Sequence, residues 1–173
     1  MELKSKVILG PRRIALIAAI VAVVLVIVFY PLIIETPIDL SKVSVGLSKV
    51  EVVTSNQTDR TLTINPTFSI TNNSTITLTT ESIDFQLFAN GRPVGSGSVS
   101  YADVPVVGRP EIFSNTTVHI PGSLDFQLSN DNAGIFKMVR DNSTQISWST
   151  NGTATIESGT TVLPKDFSAE LRR

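Results

Sequence analysis

Side chains that could carry out acid–base or metal chemistry are scarce in this chain. His119 is the sole histidine, and the chain contains no cysteine. Because His119 alternates with Val118 and Ile120, we expect a strand residue that points away from the core, not a base or a metal ligand. With no cysteine and one histidine, a zinc site is not expected. A serine triad would need His119 to be paired with a nucleophile, yet no G-x-S-x-G elbow is present.

Carboxylates offer the remaining acid–base candidates. Glu81 with Asp84, and Asp125 with Asp131, are the candidate pairs, and oxygens of the loop at residues 129–132 leave weak calcium binding open. Scattered surface acids explain both pairs more simply, and no loop has the spacing of an EF-hand. We therefore predict a protein that is not an enzyme, with no catalytic residue, cofactor or metal ligand.

The most frequent chemical motif is the sequon Asn-x-Ser/Thr, the acceptor of N-linked glycans. All six sequons lie after residue 34, and their asparagines are Asn56, Asn72, Asn73, Asn115, Asn142 and Asn151. A composition rich in Ser and Thr produces some of them by chance, and two of the six overlap. The excess favours a glycosylated domain outside the cell.

A long apolar run dominates the N-terminal part of the chain. It begins at Ile14, ends at Ile34 and contains no charged residue. A helix of about 21 residues is roughly 30 Å long, which matches the thickness of a bilayer core. We therefore predict a transmembrane helix over residues 14–34, with the lipid bilayer as its partner.

Charges beside this run predict its orientation. Four basic residues and Glu2 precede it, whereas Glu35 and Asp39 follow it. By the positive-inside rule the N-terminus is cytoplasmic, and the run lacks the short length and small-residue cleavage site of a removable signal. We predict a single-pass protein of the cell membrane with a signal anchor. Its predicted segments are a cytoplasmic tail (1–13), a transmembrane helix (14–34), a juxtamembrane linker (35–42) and an exterior β-sandwich (43–173).

The charge of the exterior part argues against one class of partner. After Glu35 the chain has 13 acidic and 10 basic residues, a net charge of −3. Nucleic-acid-binding proteins instead cluster Lys and Arg to neutralise phosphates. Nucleic acid is therefore not an expected partner, and the sequence leaves the oligomeric state open.

Alternation of apolar and polar residues with a period of two predicts strands through most of the exterior part. Pro66 interrupts one such run and indicates an edge strand or a bulge. Trp148 alternates with Ile146, so we expect it in the core. Many short antiparallel strands are typical of a β-sandwich. The later predicted strands cover residues 116–120, 144–149, 153–156 and 167–171.

Asn90-Gly91 gives the clearest local signal. It separates two alternating segments, and a two-residue turn with positive φ at both positions suits these residue types, so we predict a β-hairpin. In its second strand, Gly95 and Gly97 indicate a bulge or a close backbone approach, with loose surface packing as the alternative.

One stretch, at residues 130–140, is helical in pattern. Asn130 or Asp131 can cap it, and Ile135, Phe136 and Val139 share one face. We predict a short helix that covers one end of the sheets with its apolar side in the core.

Four features of this chain follow one another in an order that resembles the order found in a known family. The tripeptide Asn72-Asn73-Ser74 is followed by the apolar alternation of residues 83–87, then by Asn90-Gly91, then by the small residues 94–97. This order is similar to that of the water-stress and hypersensitive-response (WHy) domain, known from the second subgroup of late embryogenesis abundant proteins. The family has Asn-Pro-Asn at the first place, whereas here proline is missing at position 73.

The resemblance covers roughly residues 44–171. It implies a seven-stranded, fibronectin-like sandwich with one helix and no catalytic residues. In some relatives it implies a membrane-anchored exterior domain tied to stress or desiccation responses. Envelope proteins or glycans are then the expected partners of the exterior surface.

A second function, from the class of structural proteins, stays open. Archaeal pilins and archaellins also join an N-terminal apolar helix to a Ser/Thr-rich β-domain, and they are processed after a glycine that precedes the helix. Gly10 precedes the apolar run here, but Pro11, Arg12 and Arg13 separate the two. A surface filament subunit is therefore the alternative to a membrane-anchored binding domain.

Overall fold

The computed structural model describes residues 10–34, 38–53, 60–141 and 145–171, without the side chains of residues 11, 13, 14 and 30–34. The chain divides into two compact units, Met1–Pro37 and Ile38–Arg173. The first unit contains one helix, and the second is built mainly of strands.

Helix α1 spans Pro11–Ile34. Its described side chains are those of Arg12 and of residues 15–29, and all of them are exposed. Within the part of the chain that the structure describes, no helix is long and apolar enough to cross a membrane. The transmembrane helix over residues 14–34 therefore stays a prediction.

The second unit contains nine described strands in two antiparallel sheets, which confirms the predicted mainly-β sandwich. Sheet A contains β1 (Val43–Val53), β2 (Thr61–Asn72), β6 (Thr116–Pro121) and β7 (Leu124–Gln127). Sheet B contains β3 (Leu78–Ala89), β4 (Arg92–Ser100), β5 (Glu111–Ile112), β8 (Trp148–Ser158) and β9 (Thr161–Glu170).

Register shows that these nine strands fill seven positions. In sheet A, β6 pairs with one half of β2 and β7 with the other half, so both share one side of it. In sheet B, β4 and β5 likewise share the side of β3 that faces away from β8. The sheet orders are therefore β1-β2-β6/β7 and β4/β5-β3-β8-β9. Nine strands fill seven positions because two positions, those of β6/β7 and β4/β5, each consist of two shorter strands.

Pro66 lies in an inner strand, so the prediction of an edge strand was wrong. It pairs with Val50 of β1 on one side of β2. On the other side it falls between the segments paired with β6 and β7, where its carbonyl accepts a hydrogen bond from Gly122 N at 2.8 Å. Proline is accommodated in a central strand because a partner strand is interrupted there.

The predicted hairpin is confirmed. Ala89 pairs with Arg92, and the two residues between them, Asn90 and Gly91, have φ of 49° and 75°. Positive φ at both central positions is the geometry of a type I′ turn, which suits the twist of the strands.

The backbone approaches the core closely at Gly97 of β4. A Cβ atom there would lie 2.6 Å from Phe85 Cζ. A register shift follows Leu87 and leaves Val94 as an extra residue of β4. The interpretation as bulge and close approach is therefore correct, and loose surface packing is wrong.

Helix α2 spans Ala133–Asp141 and confirms the predicted short helix. Its buried residues are Ile135, Phe136 and Val139, as the sequence pattern indicates. Phe136 packs against Phe126 of β7, with ring centroids 5.4 Å apart. The helix starts directly after Asn132, whose carbonyl accepts a hydrogen bond from Phe136 N.

Aromatic rings join the two sheets in the core. Phe68 of β2 and Phe85 of β3 have centroids 4.8 Å apart, and Phe167 of β9 lies 6.0 Å from Phe68. Burying one such ring stabilises a fold by about 1.5–3 kcal/mol. Trp148 is 2% exposed, as expected of a core residue. It lies in β8, one continuous strand where the sequence indicated two shorter ones.

Candidate functional site

The tripeptide that carries the family resemblance forms a buried polar corner at the end of β2. Asn72 is fully buried, and its Nδ2 donates hydrogen bonds to the carbonyls of Ile76 (2.7 Å) and Ile112 (2.9 Å). Its Oδ1 accepts from Ser74 N at 2.9 Å and from Ser74 Oγ at 2.6 Å. Both ends of the amide are thus satisfied in a place that water does not reach.

This Asn72 corner connects the sheets where the chain leaves sheet A for sheet B. Ile112 belongs to β5 of sheet B, so its bond with Asn72 crosses the sandwich. Backbone bonds add to the corner: Asn72 O accepts from Asn115 N, and Lys42 O accepts from Asn73 N. The side chain of Asn72 therefore has a structural role that its sequon pattern did not reveal.

The structure places the six glycan acceptor candidates in different environments. Asn72 is buried, and a glycan on its Nδ2 would replace the bonds of the corner. Asn73, Asn115 and Asn151 are exposed, so their side chains are accessible to modification. Asn56 and Asn142 lie outside the described residues.

The titratable candidates are dispersed over the surface. His119 is exposed, as expected, with Nδ1 3.3 Å from Ser48 Oγ. Asp84 and Asp131 are exposed, and Asp125 accepts a hydrogen bond from Thr63 Oγ1 at 2.9 Å. Across the described ranges, no three His, Cys, Asp or Glu side chains are grouped so that they could hold a metal ion.

In the calcium candidate loop at residues 129–132, the side-chain oxygen of Asn132 is used in a hydrogen bond within the loop. Asn132 Oδ1 accepts a hydrogen bond from Ser129 N at 2.7 Å, and Asn132 Nδ2 donates to Gln127 O at 2.8 Å. These bonds close the turn that leads into α2, which gives the side chain of Asn132 a structural explanation.

A groove of about 630 Å³ runs between β1 and β9, the edge strands of the two sheets. Its lining is mostly small and polar, with Ser44, Gly46, Ser48, Ser69, Thr71, Ser168 and Glu170 among its residues. Such a lining offers hydroxyl groups but differs from the mainly apolar and aromatic lining of an ordinary small-molecule site.

The sequence analysis did not predict one ion pair that the structure contains. Arg109 Nη1 lies 2.5 Å from Glu157 Oε2, and the two side chains are only 11% and 10% exposed. Arg109 also donates from Nε to Val104 O and from Nη2 to Ala102 O. Through these bonds the arginine attaches the β4–β5 loop, residues 101–110, to β8. No local pattern signals this pair, because 48 residues separate its members.

Comparisons with known proteins give weak similarities. No protein-family model matches the chain, and no curated protein matches it. A solution structure from Arabidopsis thaliana aligns at 18% identity and a TM-score of 0.44, covering 75% of this chain and 80% of that one. A crystal structure of a protein from Archaeoglobus fulgidus aligns at 16% identity and a TM-score of 0.41, covering 72% and 94%.

A third similar structure is described as a late embryogenesis abundant protein. It aligns at 12% identity and a TM-score of 0.40, covering 99% of this chain and 93% of that one. At such TM-scores these similarities carry no conclusion about the function of this chain.

Proposed function

We propose that this chain is a membrane-anchored, non-enzymatic protein whose exterior, fibronectin-like β-sandwich of the WHy type acts in stress or desiccation tolerance at the cell envelope. One observation carries the proposal above all: an uncharged run of about 21 residues is joined to a compact sandwich by a short linker. The cell membrane, with the sandwich outside, is its proposed location.

The described part of α1 supports the anchor. Side chains from Ala15 to Phe29 are all exposed, and none carries a charge. Large apolar residues such as Leu16 (64% exposed) and Ile27 (66%) are among these side chains. A helix that is apolar on every side needs a hydrocarbon or protein environment around it. Lipid is the proposed environment.

The sandwich supports a role in binding rather than catalysis. Its single histidine is exposed, the one buried acid among its described residues, Glu157, is paired with Arg109, and the polar cluster of the Asn72 corner is used for structure. The exposed Ser- and Thr-rich strands and the accessible sequons suit contacts with water, glycans or envelope proteins. No described feature favours the filament-subunit alternative.

Flotation tests the anchor. We expect the full chain to float with phosphatidylcholine vesicles through a density gradient and to resist extraction at alkaline pH. Two arginines in the run, Val21→Arg with Leu25→Arg, should abolish flotation, because each charge at a helix centre costs about 2.5–3.5 kcal/mol in a bilayer. Val53→Arg with Met138→Arg, two exposed positions in the sandwich, is the matched control. Equal flotation of both variants would refute the anchor.

Drying tests the proposed role. Vesicles that carry the full chain should retain more of a trapped dye after drying and rehydration than vesicles mixed with the same amount of the Val21→Arg, Leu25→Arg variant. Equal leakage would remove the stress role while leaving the anchor in place. Mass spectrometry of the intact protein, with and without deglycosylation, tests glycan addition and shows whether the N-terminus is processed after Gly10.

A further inference from the structure

The exposed apolar side chains of the sandwich are concentrated at one end. We call this the entry end, because β1 begins there at Val43. Register places the end of β2, the start of β6, β5 and the β8–β9 turn at the same end. The bond between Asn72 and Ile112 joins the two sheets there.

Four of the six exposed large apolar residues described in the sandwich lie in elements of the entry end. Val107 is 89% exposed, Phe113 56%, Val106 48% and Val162 46%. The remaining two, Val53 and Met138, lie at the end of β1 and in α2. Single exposed apolar residues are ordinary on soluble proteins, but two adjacent valines at the tip of a turn are not explained by packing.

The loop that carries Val106 and Val107 is held firmly. Gly108 N donates to Pro105 O and Arg109 N to Val106 O, so the valines lie in a closed 3-10 turn. The Arg109–Glu157 pair fixes the base of this turn to β8, and Thr80 N donates to Pro110 O. The turn therefore presents its valines in a fixed position, which lowers the entropic cost of burying them against a partner.

Charge at the entry end favours an apolar partner. The exposed charged residues of the entry end are Asp39, Lys42, Asp103 and Glu111, which together carry a net charge of −2. They give no attraction for anionic lipid headgroups or nucleic acid. Only residues 35–37 separate this unit from the end of α1 in the chain.

We propose that the entry end of the sandwich docks on the surface of the bilayer, with the Val106–Val107 turn inserted among the lipid headgroups and upper acyl chains. This inference rests on the proposed membrane anchor and adds a second, reversible contact to it. Apolar side chains with a polar surround bind at the interface in this way. Docking of this kind depends little on salt, because no basic patch takes part.

Absence of cysteine makes a direct test straightforward. A single cysteine at Val107 in the full chain carries an environment-sensitive fluorophore, and the protein is reconstituted in phosphatidylcholine vesicles. Val53→Cys is the matched control, since Val53 is also an exposed valine, at the other end of the sandwich. We expect blue-shifted emission at position 107 and quenching by spin-labelled phosphatidylcholine, at low and high salt, with neither effect at position 53.

The outcomes separate the inference from the anchor. If both labelled proteins float with vesicles and position 107 is quenched no more than position 53, docking is wrong and the anchor stands. If neither protein floats, both proposals fall. Position 107 is 89% exposed, so the label replaces no core contact, and an unchanged thermal transition in detergent verifies that the fold is intact.

Discussion

The side-chain amide of Asn72 holds the two sheets together, with its Nδ2 2.9 Å from the carbonyl oxygen of Ile112. Asn72 ends β2 in sheet A, and Ile112 lies in β5 of sheet B. Backbone ladders connect strands only within a sheet, so this amide supplies a directional link between layers that are otherwise joined by apolar packing. The first residue of the tripeptide Asn72-Asn73-Ser74 is therefore a structural residue.

Asn72→Ala should destabilise the sandwich. The carbonyl of Ile112 and the N–H of Ser74 would each lose the amide as a partner in a buried place, and a buried group left unsatisfied costs about 1–3 kcal/mol. The carbonyl of Ile76 keeps a hydrogen bond from Ser74 Oγ at 3.2 Å. We expect the free energy of unfolding to fall by about 2–4 kcal/mol. Urea unfolding, followed through the fluorescence of the single tryptophan, Trp148, measures it.

The neighbouring asparagine provides the control for that experiment. Asn73 is exposed, so Asn73→Ala should change stability by less than about 0.5 kcal/mol. Equal effects of the two substitutions would show that the Asn72 corner contributes nothing to the link between the sheets.

Burial also predicts which of two overlapping sequons carries a glycan. A glycan on Asn72 Nδ2 is incompatible with its bonds to Ile76 and Ile112, whereas the side chain of Asn73 is exposed. In the folded protein from a glycosylating host, peptide mapping should find any glycan of this pair on Asn73. Asn73→Gln should then remove it without moving it to Asn72. A folded protein modified at Asn72 would contradict the structure.

Local pattern predicted the elements whose causes are local. Asn90-Gly91 fixes its turn through backbone geometry, and the spacing of Ile135, Phe136 and Val139 fixes the buried face of α2. The structural role of Asn72 could not be predicted from local pattern, because the motif Asn-x-Ser is the same whether its asparagine is exposed or buried. Its role depends on Ile112, which lies 40 residues away.

Strand continuity and partner exchange were equally hidden. The sequence predicted a break between residues 149 and 153, and this break does not occur. Strand β8 lies between β3 and β9, and its residues 149–153 pair with both of them. Pro66 indicated an edge strand, yet its missing donor falls where β2 changes partner. In both cases the pairing of distant segments overrides the local preference.

Glycine 97 provides a test of close packing. In Gly97→Ala the new methyl group would meet the ring of Phe85, which is 3% exposed and stacks on Phe68. We expect the free energy of unfolding to fall by about 1–3 kcal/mol, the usual cost of overpacking a core. Gly134→Ala is the matched control, since nothing lies within 4 Å of that position in α2.

The control should have the opposite sign. Alanine is favoured over glycine by about 0.5–1 kcal/mol in a helix interior. Gly134 is the second residue of α2, so Gly134→Ala should stabilise the protein by no more than that amount. Thermal unfolding of the two variants measures the difference. A neutral Gly97→Ala would mean that Phe85 moves aside freely, against the packing described.

The Arg109–Glu157 pair predicts a strong difference between single and double substitutions. Arg109→Met leaves the carboxylate of Glu157 nearly buried without a counter-charge and removes two bonds to loop carbonyls. Breaking a buried pair from one side costs about 3–5 kcal/mol, whereas replacing both partners by apolar residues is often close to neutral. We expect Arg109→Met to lower the free energy of unfolding by an amount in that range. The double variant, Arg109→Met with Glu157→Leu, should regain much of the lost free energy.

Hydrogen exchange locates the effect of breaking this pair. In Arg109→Met the amides of Gly108 and Arg109, bonded within the valine turn, should exchange faster, while the amide of Gly122, bonded to Pro66 in sheet A, should keep its protection. Arg109→Lys keeps the charge but loses the planar fork that reaches Val104 O and Ala102 O, so it should loosen the loop at a smaller cost in stability. Unchanged exchange in both Arg109→Met and Arg109→Lys would mean that the turn keeps its shape without the pair.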